Sequence, residues 1–276
     1  MTPAQPRITP PGRWSDLAAR VASAAIMIAI GVALILSSGL PLRFALSIVT
    51  GVLLWELTRV TGWKVDTPAQ PGRYLTIGIV GGVATFLTLV LPVIWAVLPV
   101  IVVLAVALPG TPAAQRVPFV AFTLAFFIAA VSFVYVREVA GLGTILWLVL
   151  TVILSDVLGY FVGRSVGGPK FWPAISPKKT WSGTLGGLIG AAVLAVILAA
   201  SGQAPWYLVW IGAFMAFIGQ MGDIAESWLK RRVGIKDSSQ LIPGHGGLMD
   251  RFDALTAALV AAYVFSLFSL IPQVGG

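Results

Sequence analysis

"GTILWLVLTVILSDVLGYFVGR", residues 143–164, is a nearly unbroken apolar run that admits one acid, Asp156. About 20 such residues in helical form cross the hydrocarbon core of a bilayer, roughly 30 Å thick. The composition agrees with that reading. Of 276 residues, 58% are hydrophobic and 10% are charged, where a soluble domain carries about 25% charged residues. Mean hydropathy is +0.96. A water-soluble fold has too little interior to hide so much apolar surface.

Further runs of the same kind lie at about 17–37, 42–60, 74–91, 93–108, 117–136, 184–201, 205–228 and 254–271. The fold expected is an all-α integral membrane protein, a polytopic bundle of about nine transmembrane helices. The division between the third and fourth runs rests on "LPV" at 91–93. The first run, from Leu17 to about Leu36, exceeds the roughly 7–15 apolar residues of a cleavable signal. It reads as a retained helix behind a Pro-rich N-terminal arm, 1–16. Residues 17–140 then form an N-terminal transmembrane region, and 141–276 a catalytic one with cytoplasmic loops at 164–183 and 229–253.

Charge parity supports nine spans. With the N-terminus inside, 16 of the 18 Lys and Arg residues fall in cytoplasmic segments, and only Arg43 and Arg137 fall outside. Joining the third and fourth runs would put the two richest loops opposite the basic N-terminus. The positive-inside rule therefore gives N-in and C-out. The net charge of +8 has the same source, with loops meeting anionic headgroups. No basic run is interleaved with exposed aromatics, so nucleic acid is not an expected partner. With no cysteine there is neither a disulfide framework nor a thiolate metal site.

Three groups of polar residues carry the chemistry. Asp156 lies about two turns before the inner end of its span, and "IGQMGDIAESWLKRR" places Asp223 and Glu226 three apart on one helix face. Acids at that depth usually face a wet interior and mark function. The plainer alternatives are an arginine partner for Asp156 and a Glu226–Lys230 pair at i,i+4. "LIPGHGGLMDRFD", 241–253, holds the only histidine, His245, and puts Asp250 and Asp253 on one side of the last helix's first turn. A helix N-terminus favours anions there, and simple capping by Asp250 is the alternative. "SPKKTWSGTLGG" sets Lys178, Lys179 and Thr180 before a Gly-rich helix start, a natural phosphate site. Contact between those lysines and lipid headgroups is the competing reading. Oxygen ligands with one His suit Mg²⁺. Carboxylates holding Mg²⁺ beside phosphate-binding lysines are what phosphoryl or nucleotidyl transfer requires. At a membrane face this implies one soluble substrate, a nucleotide, and one lipid.

The stretch "SWLKRRVGIKDSSQLIPGHGGLMDRFD", 227–253, resembles the signature of the CDP-diacylglycerol synthases, or phosphatidate cytidylyltransferases. The matching positions are Ser227, Lys230, Arg231, Lys236, Asp237, His245, Gly246, Gly247, Asp250, Arg251 and Asp253. "SDVLGYFVGR" and "ISPKKTWSGTLGG" resemble the family's other cytoplasmic motifs, whereas the first five runs match only in hydrophobicity. Ser182 stands where many members carry Glu.

The resemblance implies that CTP and phosphatidate give CDP-diacylglycerol and pyrophosphate at the cytoplasmic face of a bacterial inner membrane. It further implies Mg²⁺ as cofactor, with a second cation left open, and a homodimer. On that reading Asp223, Asp250, Lys230 and His245 are catalytic, and Asp223, Asp250, Asp253 and Asp156 bind metal. Lys178, Lys179, Thr180, Ser227, Arg231, Lys236, Gly246, Gly247 and Arg251 hold substrate. Two alternatives stay open: another CTP-dependent lipid enzyme, such as a polyprenol kinase or archaeal-type synthase, and a transporter. Against transport, the polar residues gather toward one face and no repeat is evident.

Overall fold

A computed structural model describes residues 13–62 and 71–275. The arm expected over 1–16 lies outside the described residues up to position 12, as do Lys64 and its neighbours at 63–70; from Arg13 the chain is already helical. Among the described residues there are nine α-helices: α1 (Arg13–Leu36), α2 (Gly39–Val60), α3 (Pro71–Val90), α4 (Leu98–Ala107), α5 (Arg116–Glu138), α6 (Leu142–Val166), α7 (Trp181–Ala200), α8 (Leu208–Arg232) and α9 (Met249–Leu267). The expected loop 164–183 contains a short antiparallel hairpin of β1 (Lys170–Trp172) and β2 (Ser176–Thr180).

Among the described residues six helical segments are long and apolar enough to cross a membrane: Gly39–Val60, Gly72–Val90, Ala113–Glu138, Leu142–Val166, Trp181–Ala200 and Leu208–Arg232. The nine runs read from the sequence therefore correspond to nine helices but not to nine full-length spans. The ten residues of α4 rise about 15 Å, half a bilayer core. Within α1 the apolar part is Arg20–Leu36, and α9 carries Asp250, Arg251 and Asp253 in its first turns.

Hydrogen bonds at the helix termini show how the chain runs. At one end, Arg43 makes a two-pronged pair with Glu138, 2.7 and 2.8 Å, and donates to the Leu89 carbonyl, 3.1 Å. Arg137 donates to the carbonyls of Ile35 and Leu36, and the Val274 N–H reaches Thr144. This end gathers the last turns of α1, α3 and α5, the first turns of α2 and α6, and the segment after α9. At the other end Ser23 of α1 meets Pro243, Arg232 of α8 donates to the Ala114 carbonyl before α5, and Thr180 lies against the end of α6. Because α3 finishes at the first end and α5 begins at the second, α4 and its preceding turns bridge them.

Close helix crossings depend on glycine. α2 and α3 touch at Gly51, Gly78 and Gly82, where a methyl on Gly51 would lie 2.7 Å from the Gly78 carbonyl oxygen. α6 and α7 touch at Gly159, Gly163 and Gly183, and a methyl on Gly183 would lie 2.5 Å from the Gly159 carbonyl oxygen. Small residues let backbones approach where the surroundings are as apolar as the helices themselves. The buried cores follow: Leu54, Leu57, Phe119 and Phe126 unite α2 and α5, and Leu148, Met215 and Ala258 unite α6, α8 and α9. Ile28, Ile79, Phe161 and Trp210 point outward, as expected of helices solvated by lipid.

Candidate active site

At the second end of the bundle a cavity of about 750 Å³ opens between α6, β2, α8 and α9. Its acidic lining is Asp156 from α6, Asp223 from α8, and Asp250 and Asp253 from α9. Facing them are Lys178, Lys179 and Thr180 of β2, and Arg251 of α9. Eight of the residues singled out from the sequence are thus brought together, from segments almost a hundred positions apart.

Local sequence explains each placement. Asp156 leads the face of α6 on which Tyr160, Gly163 and Arg164 follow at helical spacing, and all four line the cavity. The hairpin delivers the lysines: "GGPKFWPAISPKKT" turns over Pro173, pairs Lys170 with Thr180, and stacks Phe171 on Trp181, ring centres 4.5 Å apart. Thr180 ends the strand as N-cap of α7, its hydroxyl accepting the Gly183 N–H at 3.1 Å. The Ser182 hydroxyl donates to the Gly167 carbonyl, so the residue found in place of an acid ties the hairpin's entry to the start of α7.

Asp223 has no basic neighbour along its own helix, but Lys179 Nζ reaches its Oδ2 at 2.8 Å. The same ammonium donates to the Gln220 carbonyl at 3.2 Å, and the Gln220 amide donates to Ser155 Oγ at 2.9 Å. Ser227 lies 3.5 Å from Asp223 Oδ1. Asp156 takes no hydrogen bond or ion pair among the described residues, so its arginine-partner alternative is not realised; Arg164 instead donates to Tyr160 Oη at 2.6 Å.

Asp250 is held from several sides. Lys230 Nζ lies 2.7 Å from its Oδ1, and its Oδ2 accepts the Gly247 N–H at 2.7 Å and the Ser238 hydroxyl at 3.1 Å. Lys230 also pairs with Glu226 at 2.5 Å, which realises the i,i+4 alternative for that acid. Lys230 therefore sits behind Asp250, 9% exposed, and does not line the cavity. The loop from Ile242 to Gly246 closes on itself through the bond from Ile242 N–H to the Gly246 carbonyl, 2.8 Å, with Gly244 and Gly246 at positive φ.

Other signature residues stand outside the cavity. His245 Nδ1 lies 2.8 Å from Ser23 Oγ of α1, and its carbonyl accepts from the Arg251 guanidinium at 2.6 and 3.0 Å. Lys236 lines a second cavity with Trp55 and Arg59, and Arg231 leans on the Ile235 carbonyl. Gly246 and Gly247 shape the loop beside Asp250 and Glu56.

Sequence reasoning missed four residues. Arg164 and Lys170 were counted only as cytoplasmic charges, although Arg164 follows Asp156 by about two turns on one face. Gln220 precedes Asp223 by one turn and is 3% exposed. Glu56, within the second apolar run, is 0% exposed and left no local signal beyond being an acid in a span.

The donor chemistry suits a hard divalent cation: four carboxylates and no sulfur, in a cavity that also holds lysine and arginine side chains. Among the described residues no three acidic or histidine side chains form a closed ligand group. Mg²⁺ commonly binds by one or two carboxylates plus substrate phosphates, and that open arrangement fits this donor set.

A family model described as the cytidylyltransferase family matches residues 18–269. The chain is also similar to the phosphatidate cytidylyltransferase of Brucella abortus (strain 2308), 44% identical over 69 residues covering 25% of this chain and 26% of the relative. That of Mycobacterium tuberculosis (strain ATCC 25618 / H37Rv) is 42% identical over 71 residues, 26% and 21% of the two chains. That of Bacillus subtilis (strain 168) is 45% identical over 64 residues, 23% and 24%. Each match spans about a quarter of the relative's own length.

Proposed function

The chain belongs to the cytidylyltransferase family, and from that premise we propose that it is a phosphatidate cytidylyltransferase, converting CTP and phosphatidate into CDP-diacylglycerol and pyrophosphate. The observation that carries the reading is the cavity in which Asp156, Asp223, Asp250 and Asp253 face Lys178, Lys179 and Arg251 at one end of a bundle of apolar helices. Phosphates need the bases, a divalent cation needs the acids, and a lipid substrate needs the membrane end.

An oxygen of the lipid phosphate attacks the α-phosphorus of CTP, forming the new P–O bond. The bond from that phosphorus to the bridging oxygen breaks, and pyrophosphate leaves with the electron pair. A phosphate monoester is anionic near neutral pH, so no strong general base is required. Catalysis is then chiefly positioning and charge neutralisation. Lys178 and Lys179 hold phosphate oxygens at the hairpin edge, and Arg251 does so from α9. Asp223 and Asp250 would hold Mg²⁺, with Asp253 and Asp156 as support or further ligands, and Asp250 is oriented by its protein donors as ligating carboxylates commonly are. When bound, Mg²⁺ offsets charge on the phosphates of CTP. Lys230 fixes Asp250 from behind, and His245 shapes the loop.

The same reading takes nine crossings of a bacterial inner membrane, N-terminus inside and C-terminus outside, with the cavity at the cytoplasmic face. Support comes from helix termini that alternate between two ends and from the basic residues around the cavity. At the far end Arg43 and Arg137 are both engaged with Glu138 or carbonyls. A homodimer completes the reading and rests on the family resemblance.

Purified protein given CTP, Mg²⁺ and phosphatidate in detergent should release pyrophosphate and form a cytidine diphosphate lipid without a sealed vesicle. Phosphate transfer to a polyprenol, with no pyrophosphate formed, would replace this reading with that of a lipid kinase. Absence of any CTP turnover would remove the enzymatic reading.

A further inference from the structure

Glu56 lies on α2, in the half of the chain that contributes nothing to the cavity lining, and is 0% exposed. Four donors converge on its carboxylate. Oε1 accepts from the Ser239 hydroxyl at 2.5 Å and the Leu248 N–H at 2.9 Å. Oε2 accepts from the Met249 N–H at 2.6 Å and the Ser238 hydroxyl at 3.3 Å. These donors are 182 to 193 residues away in the chain. They belong to two segments, the 238–239 turn and the start of α9.

That helix has no side-chain cap of its own. Its first N–H groups would otherwise be buried without an acceptor. Glu56 supplies, from another helix, the anion that a helix N-terminus favours. Ser238 links this anchor to the cavity: its hydroxyl lies 3.3 Å from Glu56 Oε2 and 3.1 Å from Asp250 Oδ2. Asp250 follows Met249 in the first turn of the helix that Glu56 holds, and Asp253 comes three residues later.

We propose that Glu56 is a positioning residue for the cytidylyl transfer, clamping the 238–239 turn to the start of α9 so that Asp250 and Asp253 face Asp223 across the cavity; this rests on the function proposed above. The clamp needs a carboxylate. Each oxygen accepts one backbone N–H, so a carboxamide placed either way turns an N–H₂ group against a main-chain donor.

Glu56→Gln in the full-length protein tests this. The kcat for pyrophosphate release should fall about tenfold or more, because small displacements of reacting groups cost that much. The KM for CTP should change less than kcat, since Lys178 and Lys179 lie on the opposite wall and only Arg251 shares α9. Amide hydrogen exchange should accelerate over 246–253 and stay unchanged over 176–184. Glu56→Asp, which keeps the charge on a shorter arm, should fall between wild type and Gln. Wild-type kcat in the Gln variant, or equal acceleration in both segments, would overturn the proposal.

Should Glu56→Gln fail to fold, Ser239→Ala leaves the acid in place and removes the donor at 2.5 Å. It should lower kcat severalfold and loosen 246–253; wild-type behaviour there would equally overturn the clamp. If the wild type itself releases no pyrophosphate from CTP and phosphatidate, the functional reading has failed, and the exchange contrast alone decides whether Glu56 holds α9.

Discussion

Lys179 Nζ and Asp223 Oδ2 lie 2.8 Å apart, joining the end of the β hairpin to the second half of α8. Each neutralises the other here; on the proposed function the lysine would turn to a phosphate and the acid to a cation. The pair is half-buried, 18% and 36% exposed at the side chains, which makes its Coulomb energy modest and its rearrangement easy.

Removing either charge should separate the two roles. Asp223→Asn is expected to reduce CTP turnover by about 10²–10³-fold or more, the cost of losing one preorganised charge at a transferring phosphoryl group. Lys179→Met is expected to raise the KM for CTP about tenfold with a smaller fall in kcat. Pyrophosphate-release kinetics over a CTP series would check both. An Asp223→Asn enzyme of near-normal turnover would contradict the metal-binding assignment.

Asp250→Asn is nearly isosteric, yet its amide accepts on one side only: with its oxygen toward the Gly247 N–H and the Ser238 hydroxyl, its N–H₂ is turned against the Lys230 ammonium. Turnover should be lost, and the loop should loosen by about 1–3 kcal/mol through unmet donors. Limited proteolysis over 235–248 would report the loosening, and membrane insertion should persist because the apolar helices are untouched.

For His245 the expectation is opposite. Its ring meets Ser23 on α1, outside the cavity, and the Arg251 contact uses its backbone carbonyl, which survives substitution. His245→Ala and Ser23→Ala should therefore behave alike, with the KM for CTP changed by less than about threefold. A large rise in KM for His245→Ala alone would show that the imidazole touches nucleotide.

Gly222 sets the distance between α8 and α9. A methyl there would lie 2.6 Å from the Asp253 carbonyl oxygen, so Gly222→Ala should push α9 away from Asp223. Overpacking of this kind costs about 1–3 kcal/mol. Both the melting temperature in detergent and kcat should fall, whereas Gly31→Ala, where a methyl meets nothing within 4 Å, should change neither.

How much of this was legible in the sequence follows from the range of each interaction. Hydrophobic runs are local, and so the helices were found nearly in place. The ten-residue α4 is shorter than the run at 93–108 because a run of apolar letters does not reveal where the helix begins. Asp156, Asp223, Asp250 and Asp253 were legible because acids are conspicuous in apolar surroundings. The hairpin was not, since "KFW" and "SPKKT" are too short to show alternation. Glu56 was silent for another reason: nothing near it in the sequence marks its partners, which lie in the last quarter of the chain.

The crossing of α6 and α7 carries a last consequence. Gly159, Gly163 and Gly183 line the cavity and touch one another, so one wall is bare main chain. Any substitution on that wall adds atoms, because glycine has none to give up. Variants with a roomier chamber must arise from the charged side, where side chains can be shortened; the glycine side can only make the chamber smaller.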